Sequence, residues 1–139
     1  MDKELEKRAR INQYRDWLIP SIIFTGISAS VFIYIISTPL LTTALIVSAS
    51  LSILSIFLFI LSYLYAVTRI EAIEYLEREA DIGESLLFIL VILGVLAFLG
   101  SLSILSFWKS ITLGIVVTGI ILLGIIAFLV MMEYESKLK

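Results

Sequence analysis

The side chains able to do chemistry in this chain are mostly hydroxyls, and many of them lie in its most apolar stretches. Residues 48–62, SASLSILSIFLFILS, carry five serines and no charge. Ser48, Ser52, Ser55, Phe59, Ser62 and Ala66 follow one another at steps of four, three, four, three and four, while Ser50 falls off the line. That is the spacing of a helix seam, and five of its six positions are small. Ser21, Thr25 and Ser28 repeat the stepping, with Gly26 and Ser30 four apart. Gly94, Ala97 and Ser101 form a third small-residue face, and Gly114 and Thr118 a fourth.

A hydroxyl attacks a substrate only with a base beside it. The chain has no histidine and no cysteine, and its apolar stretches contain no lysine. This argues against serine hydrolysis, imidazole base catalysis, thiolate metal sites and the usual haem ligation. No glycine-rich phosphate loop is present. Coupled transporters commonly keep an ionisable group inside the bilayer, and here none lies in any apolar stretch. The sequence therefore indicates no enzyme, cofactor, metal, nucleic-acid partner or identifiable small-molecule substrate. Two uses of the hydroxyl seam stay open. It can pack against another helix, where small residues allow close approach and serines bond across the contact. Or it can line a path for water or a small solute, within one chain or between copies. Packing is the commoner use of such a stripe.

The stretches that carry these residues set the fold. Of 139 residues, 60% are apolar and 16% charged, against about 45–50% and about 25% in soluble domains. The excess gathers in four uncharged runs, 17–37, 41–67, 86–108 and 111–132. The shortest has 21 residues and, at about 1.5 Å each, matches a hydrocarbon core of about 30 Å. The first run is too long for the core of a cleavable signal peptide. The sequence predicts an all-α polytopic membrane protein, a single membrane domain of four transmembrane helices arranged as two antiparallel hairpins. Thr38 and Pro39 are expected to start the second span, as cap and first helical residue, and Ser110 to cap the fourth.

Nine lysines and arginines fall in 1–16, 68–85 and 133–139, and only Lys109 in the two short turns. The positive-inside rule then puts both termini and the central segment in the cytoplasm, in what reads as a prokaryotic plasma membrane. Scarcity of thermolabile residues with abundant isoleucine leans towards a thermophilic source. LEKRA at 5–9 echoes LEREA at 76–80, a hint of a duplicated hairpin. Segment 68–85 holds six acids and two bases. Its spacing predicts an amphipathic helix continuing the second span, with Ile70, Ile73, Leu76 and Ala80 on one face as a cytoplasmic partner surface. Asp81 and Glu84 are spaced as a capping box for the next helix. Its glutamates lack the glycine-bearing loop of a calcium site.

The leading functional expectation is a non-catalytic accessory subunit that packs against helices of other membrane subunits. The alternatives are a homo-oligomeric channel lined by the second-span serines and a membrane-anchored regulator binding a soluble partner through 68–85.

Overall fold

The computed structural model describes residues 2–39, 42–76 and 82–138. Five helices follow in chain order: α1 (Asp2–Arg15), α2 (Leu18–Ile36), α3 (Thr43–Leu76), α4 (Ile82–Lys109) and α5 (Ile111–Leu138). Four of the helical stretches are long and apolar enough to cross a membrane. At about 1.5 Å per residue the 34-residue α3 is about 51 Å long, well beyond a hydrocarbon core of about 30 Å.

Local chemistry explains where the helices stop. Pro20 has no N–H to give the carbonyl of Asp16, and its ring crowds that carbonyl, so the helix is interrupted at Asp16–Trp17. The break is slight: Asp16 N–H still donates to Asn12 O at 2.9 Å and Trp17 N–H to Tyr14 O at 3.2 Å. At the far end of α2, Ser37 Oγ donates to Ile33 O and Thr38 Oγ1 to Tyr34 O, closing its last turn. Thr38 belongs to that closing turn through its backbone as well, its N–H donating to Ile35 O at 3.1 Å, and α3 takes its cap four residues later than the sequence suggested. Thr42 Oγ1 accepts from Leu45 N–H at 3.4 Å, and Thr42 O accepts from Ile46 N–H at 3.0 Å. Ser110 holds the corresponding place before α5, its carbonyl accepting from Gly114 N–H at 2.9 Å. Asp81, half of the expected capping box, lies outside the described residues.

α3 is the hub. It packs most extensively against α4, next against α2, and its charged end is covered by α1. α2 and α4 meet only briefly, and α5 makes its substantial contact with α4 alone. The core is thus formed by α2, α3 and α4, and α5 lies outside it. Only 6% of the most apolar stretch of α5 is buried, against 28% in α3 and in α4.

Burial is inverted relative to a water-soluble protein. Ser21, Ser28, Ser48, Ser52, Ser55, Ser62 and Ser101 are buried, whereas Ile, Leu and Phe side chains of all four apolar helices are exposed. In water such a surface would be one continuous association patch. In lipid it is the favourable arrangement, because hydrocarbon solvates the aliphatic residues and the hydroxyls turn inward to find acceptors.

The α4–α5 turn depends on one missing side chain. A Cβ on Gly114 would collide with the Phe107 ring and stand 2.8 Å from the Phe107 Cα, so backbone would have to move. Gly119 and Gly124 have no such neighbour within 4 Å. Gly114→Ala is expected to lower stability by about 1–3 kcal/mol. Gly119→Ala should be neutral or stabilising by up to about 1 kcal/mol. Thermal unfolding of both variants in one detergent checks the contrast, and equal effects would contradict it.

Candidate functional site

The seam on α3 is buried along its whole length. Ser48, Ser52, Ser55, Phe59, Ser62 and Ala66 are each 0% exposed. Steps of four and three keep these positions on one side of the helix, and that side faces α2 and α4. Ser50, off the line, is exposed and donates to Ile46 O one turn back.

Each serine carries a single proton, which constrains how the hydroxyls can bond. Ser48 Oγ lies 2.8 Å from Ser101 O, and Ser101 Oγ 2.8 Å from Ser48 O. The two helices therefore clasp reciprocally, each serine donating to the other's carbonyl. Ser52 Oγ is 2.6 Å from Ser101 Oγ and, with the Ser101 proton already committed, donates to it. The 2.9 Å approach of Ser48 Oγ to Ser101 Oγ then needs no proton of its own. Two turns along α3, Ser55 Oγ donates to Gly94 O at 3.0 Å. Ser28 Oγ on α2, 3.0 Å from Ser55 Oγ, supplies its proton to Ser55. The Ser28–Ser55–Gly94 relay ties α2, α3 and α4 together at one level. In this assignment every hydroxyl of the two groups is satisfied, and five bonds cross between helices. At about 0.6 kcal/mol each, they contribute roughly 3 kcal/mol.

Aromatic packing sits on the next rung. Phe59 stacks on Phe24 at 5.1 Å with 14° between the planes, and Phe98 meets Phe24 edge-on at 6.4 Å. Space for the Phe59 ring comes from Gly94. A Cβ there would lie 3.2 Å from two ring carbons and 3.3 Å from a third. Gly94 thus serves twice, through its carbonyl to Ser55 and through its absent side chain to Phe59. Sequence reasoning missed Phe24 and Phe98. The available signal was Phe59 itself, one large residue in an otherwise small seam, which calls for a glycine opposite and a ring beside it.

The remaining candidate positions divide by location. Ala97 is 8% exposed and lies on the buried side of α4, between Gly94 and Ser101. Ser62 is fully buried and back-bonds to Leu58 O. Ala66 belongs to a cluster with Tyr14 of α1 and Leu87 of α4. Gly26 and Ser30 point away from the core: no atom lies within 4 Å of a Cβ built on Gly26, and Ser30 is exposed and donates to Gly26 O. Gly114 supports the α4–α5 turn, and Thr118 Oγ1, one turn on, is buried without a hydrogen-bond partner among the described residues. Ile70 and Ile73, expected as part of a partner face, pack against the Tyr14–Ala66–Leu87 cluster, so that face is occupied within the chain by α1. Lys7 Nζ donates to Glu74 O at 3.3 Å and holds the same contact further out. Leu76 closes the described part of α3, and Ala80 lies outside the described residues.

Chemically, the seam offers hydroxyls whose protons are already placed, and no ionisable group accompanies them. Such an arrangement fixes helix register and separation; it supplies neither a base nor a charge.

Ser101→Ala removes the acceptor of Ser52 and one half of the clasp with Ser48. It is expected to cost about 1–2 kcal/mol, near the upper end for interhelical hydroxyl bonds. Ser50→Ala, which removes only an exposed back-bond, should stay within about 0.5 kcal/mol. Unfolding midpoints in the same detergent decide the order, and a larger loss at Ser50 than at Ser101 would refute the assignment.

No protein-family model matches the chain, and no curated protein or solved structure matches it either. The seam is accordingly read from its own geometry.

Proposed function

We propose that this protein is a non-catalytic integral membrane subunit that packs against helices of partner chains in a larger membrane assembly. The observation that carries the reading is α5. It is apolar enough to span a bilayer, yet 6% of its most apolar stretch is buried and its substantial contact is with α4 alone. Small residues on outward surfaces add support. Gly26 with Ser30 on α2, and Gly119 and Gly124 on α5, leave room for a neighbouring backbone to approach. In this reading the four spans form two antiparallel hairpins, α2 with α3 and α4 with α5. Both termini lie in the cytoplasm of a prokaryotic cell, on the side richer in lysine and arginine.

The geometry gives the channel reading no support. A pore lined by the α3 serines needs that face open to water, and it is closed by α2 and α4 with its protons committed. A regulator binding a soluble protein through Ile70 and Ile73 would first have to displace α1.

Extraction of the tagged chain from its native membranes in mild detergent tests the proposal. The expected result is stoichiometric recovery of other membrane chains, weakened by Gly119→Leu or Gly26→Leu, while the isolated variants keep wild-type helicity. Recovery of the chain alone, or of a ring of identical copies that conducts ions in liposomes, would overturn it.

A further inference from the structure

Charge is graded along the two helices that project beyond the apolar stretches. On α1 the acids Asp2, Glu4 and Glu6, with Lys3 among them, occupy the end far from α2, and the bases Lys7, Arg8, Arg10 and Arg15 the near end. On α3 the order running outward is Arg69, then Glu71 and Glu74. Both helices therefore place positive charge nearest the apolar stretches and negative charge farther away.

Within this basic zone the nearest arginines are Arg15 and Arg69. Arg15 is two residues before Trp17, where the first apolar run begins, and Arg69 is two residues after Val67, where the second run ends. Tyr14 and Ala66 belong to one buried cluster with Leu87, which brings these levels of α1 and α3 together. Arg69 is three residues beyond Ala66, and Arg15 adjoins Tyr14. Arg69 leans back towards the apolar stretch. Its Nε donates to Tyr65 Oη at 3.0 Å, and its guanidinium lies 5.2 Å from the Tyr65 ring centre. Side chains on a helix tilt towards its N-terminus, so Arg15 leans the other way, out of the apolar layer. Neither arginine has an acidic partner among the ion pairs of the described residues, whereas Arg10 pairs with Glu6 at 2.9 Å. Asp16, which follows Arg15 directly, is exposed.

We propose that Arg15 and Arg69 form a headgroup site for an anionic phospholipid at the junction of α1, α2 and α3. The proposal rests on the membrane-embedded reading. The phosphate sits where both guanidinium groups can donate to it, and its acyl chains run down the exposed apolar surface below. The acids at the outer ends are repelled by the same negative surface and keep the α1–α3 pair standing away from it.

The test uses the full chain in mild detergent, offered equal amounts of phosphatidylglycerol and phosphatidylcholine, with bound lipids counted by native mass spectrometry. The wild type should retain phosphatidylglycerol in clear preference. Arg15→Gln and Arg69→Gln should each reduce that preference about three- to fivefold, the effect of one basic residue near an anionic surface. Lys3→Gln, the same charge loss at the acidic end of α1, should leave it unchanged, and Arg69→Lys should keep most of it. High salt, about 0.5 M, should weaken the preference because the site is solvent-facing. No preference in the wild type, or an equal loss in Lys3→Gln and Arg15→Gln, would overturn the proposal. Retention of neither lipid would instead count against the membrane-embedded reading beneath it.

Discussion

Inside a hydrocarbon layer a hydroxyl has no water to bond, so its partner must come from the protein. The reciprocal clasp between Ser48 and Ser101, each donating to the other's carbonyl at 2.8 Å, is the tightest form of that constraint here. A serine side chain is short, and two of them can reach opposing carbonyls only if the backbones of α3 and α4 come close. Bulky side chains at 48, 52 or 101 would forbid that approach, and alanines would permit it without fixing the register. The clasp thus links residue type to helix spacing, and helix spacing to the packing above and below it.

Two consequences follow along α3. Beyond the Ser55 level, close approach leaves no room for side chains on both helices, and Gly94 yields its place to the Phe59 ring. The ring in turn positions Phe24, and through it Phe98, so the aromatic cluster inherits its geometry from the serine contact. Farther out, where apolar runs give way to charge, the same face of α3 continues through Ala66 and is covered by Tyr14 and α1. A single helix face therefore organises α1, α2 and α4. It leaves α5 without a place in the core, the asymmetry on which the proposed assembly role rests.

Much of this was readable from residue types alone. The four apolar helices follow from uncharged runs of sufficient length, and the buried line on α3 from the period of its small residues. What periodicity cannot supply is the identity of the neighbour. Nothing in the spacing of Ser55 says that it takes a proton from Ser28 and gives one to Gly94 O, because that depends on two helices far away in sequence. The helix start at Thr42 was hidden for a local reason: Thr38 is taken up in the last turn of α2, its N–H on Ile35 O, and Thr42 supplies the cap oxygen in its place. The Ile70–Ile73 face was legible as apolar, but its occupant was not, since α1 is predominantly charged and reveals Tyr14 as an anchor only when docked. The isolation of α5 was equally hidden. Its composition matches the other spans, and only its contacts differ.

The central claim is that the α3 seam closes on α4 of the same chain. The absence of native cysteine allows a direct measurement of it by oxidation of a Ser48→Cys/Ser101→Cys double variant in membranes. The Oγ atoms of these residues stand 2.9 Å apart, within reach of a disulfide once sulfur replaces oxygen. The account predicts rapid intramolecular bond formation, seen as a mobility shift of the monomer, with a Ser50→Cys/Ser101→Cys variant remaining unlinked. Slow or absent linkage of 48 to 101, or linkage between two chains in its place, would contradict it.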